Sequence, residues 1–161
     1  MTLNKKNIKV AIVMGSKSDY SIMQECEKTL KKLHIKFYTQ IVSAHRTPER
    51  MFKFAKNAIK EYSVIIAGAG GSAHLPGMIA SLTTVPVIGV PIETKKLKGL
   101  DSLLSINQMP TGIPVATVAI NGSANAALLA GSIVSNLDKK IRVNLERFRK
   151  SQTKSIKKRP R

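Results

Sequence analysis

The stretch Ile8-Lys9-Val10-Ala11-Ile12-Val13-Met14-Gly15-Ser16-Lys17-Ser18-Asp19 decides the fold. Its first part is a short apolar run rich in β-branched residues, and Gly15-Ser16 then breaks it, which predicts a buried strand ending in a tight turn. Beyond the turn Ile22, Cys26, Leu30 and Leu33 recur at helical spacing, and Ser18 or Asp19 can cap the free N–H groups at the helix start. A buried strand, a turn dense in hydroxyls and a helix form the opening unit of an α/β domain.

The pattern repeats outward from there. Phe37 to Val42 reads as a second strand. Thr47-Pro48-Glu49 is a helix start, with a capping hydroxyl, Pro at the first helical position and an acid in the first turn, and Phe52, Ala55, Ile59 and Tyr62 are its expected buried stripe. Val64 to Ala67, Val85 to Val90 and Val115 to Ile120 are nearly continuous apolar runs, expected of strands covered on both faces. Asn125 to Leu137 should be one more covering helix, and Lys139 to Lys150, with Ile141, Leu145 and Phe148 on one face, a basic helix that packs on another subunit. The sum is an α/β fold, a three-layer α/β/α sandwich around a central five-stranded parallel sheet of flavodoxin-like or Rossmann-like type. Residues 1–150 are expected to form one catalytic domain and residues 151–161 a basic, disordered tail. No internal repeat is evident.

Composition narrows the function classes. The chain has 161 residues, no Trp and 43% hydrophobic residues, so its core must be thin layers of Ile, Val, Leu, Ala and Met. The single cysteine, Cys26, falls on the apolar face of its helix, which suits a reducing, cytoplasmic setting. Neither a signal peptide nor a membrane-spanning segment is expected. The net charge of +18 raises the possibility of nucleic-acid binding, but a net +10 sits between Lys139 and Arg161. Much of the remainder is Lys on outer helix faces (Lys28, Lys31, Lys32, Lys53, Lys56, Lys60), which reads as a solvated surface, and no RNA-binding aromatic motif accompanies it.

In an open parallel sheet ligands bind beyond the carboxyl ends of the strands, where the following helices point their positive N-termini. Strand one ends in Gly15-Ser16-Lys17-Ser18-Asp19, strand two in Ser43-Ala44-His45-Arg46-Thr47 and strand three in Gly68-Ala69-Gly70-Gly71-Ser72-Ala73-His74. The first loop offers N–H groups and the hydroxyls of Ser16 and Ser18 to a phosphate, and Asp19 can accept from sugar hydroxyls; plain helix capping would use the same residues. The second sets His45 beside Arg46, a proton-transfer group beside an expected buried guanidinium that needs an anion. The third resembles G-x-G-x-x-A, but it follows the third strand, and Leu75-Pro76-Gly77 should interrupt the helix a dinucleotide needs; its glycines are read as letting backbone approach a small planar substrate. No metal site is indicated, because His34, His45 and His74 are scattered and no helix carries ligands at i and i+4; His34 reads as a solvent-facing residue at a helix end.

Taken together, Met14 to Asp19, Ser43 to Pro48 and Ala67 to Met78, with Gly99-Leu100-Asp101-Ser102-Leu103-Leu104-Ser105-Ile106-Asn107-Gln108-Met109-Pro110 and Asn125 to Leu129, resemble the N5-carboxyaminoimidazole ribonucleotide mutase family of purine biosynthesis. The resemblance spans roughly Val10 to Leu137. It implies a carboxylate shift within one small-molecule substrate, from an exocyclic nitrogen to ring carbon C4, with transient release of carbon dioxide and no cofactor. It also implies a homo-octamer with sites near subunit boundaries. Carried onto this chain, Ser16, Ser18 and Arg46 would hold the phosphate, with Ser43 beside them, Asp19 the ribose, and backbone at Gly70 and Gly71 the carboxylate. His45 would be the general acid and base, and His74 would line the site. Asn107 and the short loop Ile120-Asn121-Gly122-Ser123 depart from the family pattern without removing any of these groups. A direct carboxylase acting on aminoimidazole ribonucleotide and free carbon dioxide is the nearest alternative; a non-catalytic nucleotide- or RNA-binding module is the alternative of another class.

Overall fold

A computed structural model describes residues 8–160; residues 1–7, where no leader or anchor was expected and where the catalytic domain was taken to begin, and Arg161 of the tail lie outside the described residues. The strands are β1 (Lys9–Met14), β2 (Lys36–Ile41), β3 (Val64–Gly70), β4 (Val87–Ile92) and β5 (Ala116–Thr117). The helices are α1 (Tyr20–Lys32), α2 (Pro48–Glu61), α3 (Leu75–Ala80), α4 (Leu100–Asn107), α5 (Ser123–Val134) and α6 (Lys139–Ser155). All strand pairs are parallel, in the order β2-β1-β3-β4-β5.

Alternation along the strands divides the core into two layers. Val10, Ile12 and Met14, with Val64, Ile66, Ile88 and Val90, face α1, α5 and α6. Ala11, Val13, Ile65, Ala67 and Ala69 face α2, α3 and α4, where the helices answer with Met51, Ala55, Ala58, Ile79 and Ile106. Cys26, Leu30 and Leu33 are fully buried as their spacing predicts, and the six lysines assigned to outer helix faces are all exposed. The expected α2 stripe is corrected: Met51, Ala55 and Ala58 are buried, whereas Phe52 and Ile59 are 49% and 46% exposed. Met51, Ala55 and Ala58 pack into the layer that holds Ala11, Val13, Ile65, Ala67 and Ala69, and Phe52 and Ile59 turn outward.

Several boundaries differ from the sequence expectation, each for a local reason. β4 begins at Val87, not Val85, and runs past Val90 through Pro91 to Ile92. Pro91 is tolerated because its missing N–H faces the β5 side. There the ladder stops, and β5 is two residues rather than Val115 to Ile120, although the Val118 and Asn121 amides still reach the Gly89 and Pro91 carbonyls at 3.2 and 2.8 Å. Leu75-Pro76-Gly77 opens α3 instead of interrupting a helix, since Pro in the first turn forfeits an N–H that has no intrahelical partner. α6 continues through Ser155, so the expected tail is helical over its first residues. No Gly or Pro falls between Lys139 and Ser155, and the hydroxyls of Ser151, Thr153 and Ser155 donate to carbonyls one turn back.

Candidate active site

The strand order reverses direction between β1 and β3, and the crevice this leaves at the carboxyl edge is where an α/β sheet takes its ligand. A cleft of about 480 Å³ opens there, lined by the loops after β1, β2, β3 and β4.

Each loop is held rigid by its own hydrogen bonds. After β1 the chain makes a 3₁₀ turn, Lys17–Asp19; the Ser16 amide donates to Asp19 Oδ2 at 3.0 Å, and the Ser16 and Ser18 hydroxyls contact one another. Asp19 thus closes the 3₁₀ turn and lines the cleft, but at the start of α1 its side chain caps no amide, which corrects the expectation that it caps the helix. After β2, Ser43 and Thr47 lock the turn: the Ser43 amide donates to Thr47 Oγ1 and the Thr47 hydroxyl donates to the Ser43 carbonyl, each at 3.0 Å. Ser43 Oγ accepts from the Arg46 amide at 3.3 Å and from Arg46 Nε at 3.2 Å. Arg46 Nη2 then crosses to the Gly15 carbonyl at 2.9 Å, tying the second loop to the first. The expectation of a buried guanidinium is corrected, since Arg46 is exposed at the rim. Its remaining N–H groups are free to meet an anion in the planar fork that suits phosphate.

His45 reaches across to the third loop, where its Nε2 lies 2.9 Å from His74 Nδ1. Sequence assigned His74 only to the lining; the structure makes it the hydrogen-bond partner of the proposed acid-base residue.

Gly70 lines the cleft, but Gly71 does not. The Gly71 amide donates to Ser102 Oγ at 2.8 Å and its carbonyl accepts from Ser105 Oγ at 3.3 Å, so its backbone is already used in fastening the loop to α4. Its φ of +68° lies in the left-handed region that favours glycine. Gly68 is also reassigned: a Cβ there would sit 2.5 Å from Met23 Sδ, so this glycine makes room for a core methionine and not for a substrate.

The fourth loop was missed. Ile92, Glu93 and Thr94 line the cleft at the end of β4. The carboxyl-edge rule would have found them had the strand not been ended before Pro91. Glu93 is pinned by Asn121 of the short variable loop: its amide donates to Asn121 Oδ1 at 2.9 Å and its Oε2 accepts from Asn121 Nδ2 at 3.0 Å. Ser102, fully buried, joins two loops by accepting from Gly71 and donating to the Ile92 carbonyl at 2.6 Å. Cys26 stays outside the site, and burial pushes its thiol above the usual range, leaving it neutral and unreactive.

Residues 9–155 match the family model described as AIR carboxylase. The chain belongs to the AIR carboxylase family. This AIR carboxylase family chain is 53% identical over 154 residues to N5-carboxyaminoimidazole ribonucleotide mutase of Haemophilus influenzae, covering 94% of each chain. It is 58% identical over 141 residues to the protein of the same name from Saccharolobus solfataricus, covering 87% of this chain and 89% of that one. Among solved structures, Treponema denticola PurE superposes with a TM-score of 0.82 at 31% identity, covering 91% of this family member and 92% of that chain.

Proposed function

We propose that this chain is an N5-carboxyaminoimidazole ribonucleotide mutase of purine biosynthesis with His45 as general acid and base. The observation that carries the proposal is the His45–His74 contact inside a cleft whose rim presents Arg46 and the Ser16 and Ser18 hydroxyls. The names of the relatives at more than half identity agree with it.

The ribotide phosphate lies against Ser16, Ser18 and Arg46, with Ser43 orienting the guanidinium. Asp19 takes the ribose hydroxyls, and the heterocycle extends toward Gly70 and His74. Protonated His45 gives its proton to the exocyclic nitrogen as the carbamate C–N bond breaks and carbon dioxide departs. Ring carbon C4 then attacks the trapped carbon dioxide, and the imidazole collects the C4 proton, returning to its starting state. Atoms and charge balance with one histidine and no external reactant, provided the loops keep the gas from escaping. A homo-octamer would close the open side of the cleft, and the exposed Phe52, Ile59, Leu100 and Leu104 supply apolar surface for such contacts. Among the described residues no helix is long and apolar enough to cross a membrane, and the free thiol of Cys26 suits the cytoplasm.

The test compares turnover of N5-carboxyaminoimidazole ribonucleotide with turnover of aminoimidazole ribonucleotide plus bicarbonate. Preference for the carbamate supports the mutase; equal or better use of bicarbonate replaces it with a direct carboxylase. Light scattering of the purified protein reads the octamer.

A further inference from the structure

Thr94 stands beyond the carboxyl end of β4, partly buried, and is one of the residues lining the cleft. Its Cγ2 lies 3.7 Å from where a Cβ on Gly70 would be, so it packs against the start of the loop that carries His74. Along the sheet the order β2-β1-β3-β4 puts Arg46 and Ser16 toward one end of the cleft and Thr94 toward the other. At about 4.8 Å per strand, Thr94 is on the order of 10 Å from the β1 loop, roughly the reach from a sugar phosphate to its base.

The Thr94 hydroxyl has one hydrogen, and it is committed. Thr94 Oγ1 lies 3.0 Å from each carboxylate oxygen of Asp101, in the first turn of α4. An ionised carboxylate can only accept, so the shared proton must come from Thr94. Any hydrogen bond that Thr94 Oγ1 makes to a ligand in the cleft is then accepted through a lone pair. A neutral, freely rotating threonine could answer either a donor or an acceptor on a ligand; this one can answer only a donor.

We propose that Thr94, held by Asp101 as an obligate acceptor, recognises an N–H donor on the heterocyclic end of the ligand and so sets the specificity of the cleft for an amino-substituted ribotide. The proposal rests on the function assigned above and adds the residue that reads the exocyclic nitrogen. A ligand with an acceptor oxygen at that point would set lone pair against lone pair and be rejected. Asp101 is a positioning residue: it touches Thr94, not the ligand.

The experiment is calorimetric titration of the full-length protein with two probes, 5-aminoimidazole ribonucleotide and ribose 5-phosphate, which lacks the heterocycle. Thr94→Val, nearly isosteric, should weaken the aminoimidazole ribotide about tenfold, as expected for one lost hydrogen bond, and leave ribose 5-phosphate within about twofold. Thr94→Ser should retain wild-type selectivity, and Asp101→Asn, whose amide can donate back to Thr94, should lose part of it. Equal weakening of both probes by Thr94→Val, or no weakening of either, overturns the proposal, and wild-type selectivity in Asp101→Asn overturns the part given to Asp101. Wild-type protein that binds ribose 5-phosphate but not the aminoimidazole ribotide overturns the functional assignment, and this proposal with it.

Discussion

His45 and His74, 29 residues apart in sequence, meet edge to face with ring centroids 5.0 Å apart and planes at 88°. Only one of the two nitrogens in that contact carries the proton, so the tautomer of one ring dictates that of the other. His45→Asn should fold and bind ligand nearly as the wild type does and lose at least about a hundredfold in kcat, the usual loss for a general acid-base group. His74→Asn should cost less, about tenfold, and should move the pH dependence of kcat because the acid-base ring loses its partner. Near-normal turnover in the first variant removes His45 from the chemistry; an unmoved pH profile in the second reduces the contact to packing.

Arg46 is held by Ser43 and by the Gly15 carbonyl so that its fork faces the cleft. Lysine keeps the charge but cannot make the same pair of contacts and still point at a phosphate. Arg46→Lys is expected to raise KM at least about tenfold with a smaller change in kcat, because phosphate binding is shared by ground and transition states. Steady-state kinetics would show it, and a loss confined to kcat would place Arg46 at the reacting end.

Removing the Ser102 hydroxyl strands the Gly71 amide and the Ile92 carbonyl together. Ser102→Ala should destabilise the protein by roughly 1–3 kcal/mol, the cost of unpaired buried polar groups. Denaturant unfolding measures this. Stability unchanged from wild type would mean that the loops are fastened without Ser102.

Cys26 and Tyr62 predict how the fold fails in alkali. Burial raises the Cys26 thiol from its ordinary value of 9.0, and burial, then Glu61, raises Tyr62 from 10.0 to about 12. Above pH 9.0 the unfolded chain releases the thiol proton while the native state keeps it, so stability is full below that pH and falls as pH rises, by at most about 1.4 kcal/mol per unit for one proton. Tyr62 adds a fall of the same sign between 10.0 and about 12, reduced by its solvent exposure. Melting temperature against pH should therefore drop from about pH 9, and Cys26→Ala should flatten the first part of the slope. A flat profile in the wild type would contradict the burial of the thiol.

Much of the cleft-lining edge was legible because strand ends are local events. Apolar β-branched runs stopping at Gly15, Ser43 and the Gly68–Gly71 stretch mark where backbone leaves the sheet, and in a parallel sheet such ends must share one edge. Ser16, Ser18, Asp19, Ser43, His45, Arg46, Gly70 and His74 all line the one cleft for that reason. The fourth loop was not legible, because Pro91 reads locally as a stop, and only its pairing with β3 reveals that the strand continues.

Residue order and chemistry alone therefore settled the alternation of elements, the parallel sheet, the polar loops and the histidine-arginine pair, since each follows from hydrophobic period, turn residues and capping within a few positions. The three-dimensional arrangement decided the rest: which face of α2 is buried, that Gly71 is spent on Ser102, and that His45 finds His74. Those are contacts between segments far apart in the chain, fixed by strand order and by what each sheet face leaves room for. Backbone preference over a short window carries no information about either.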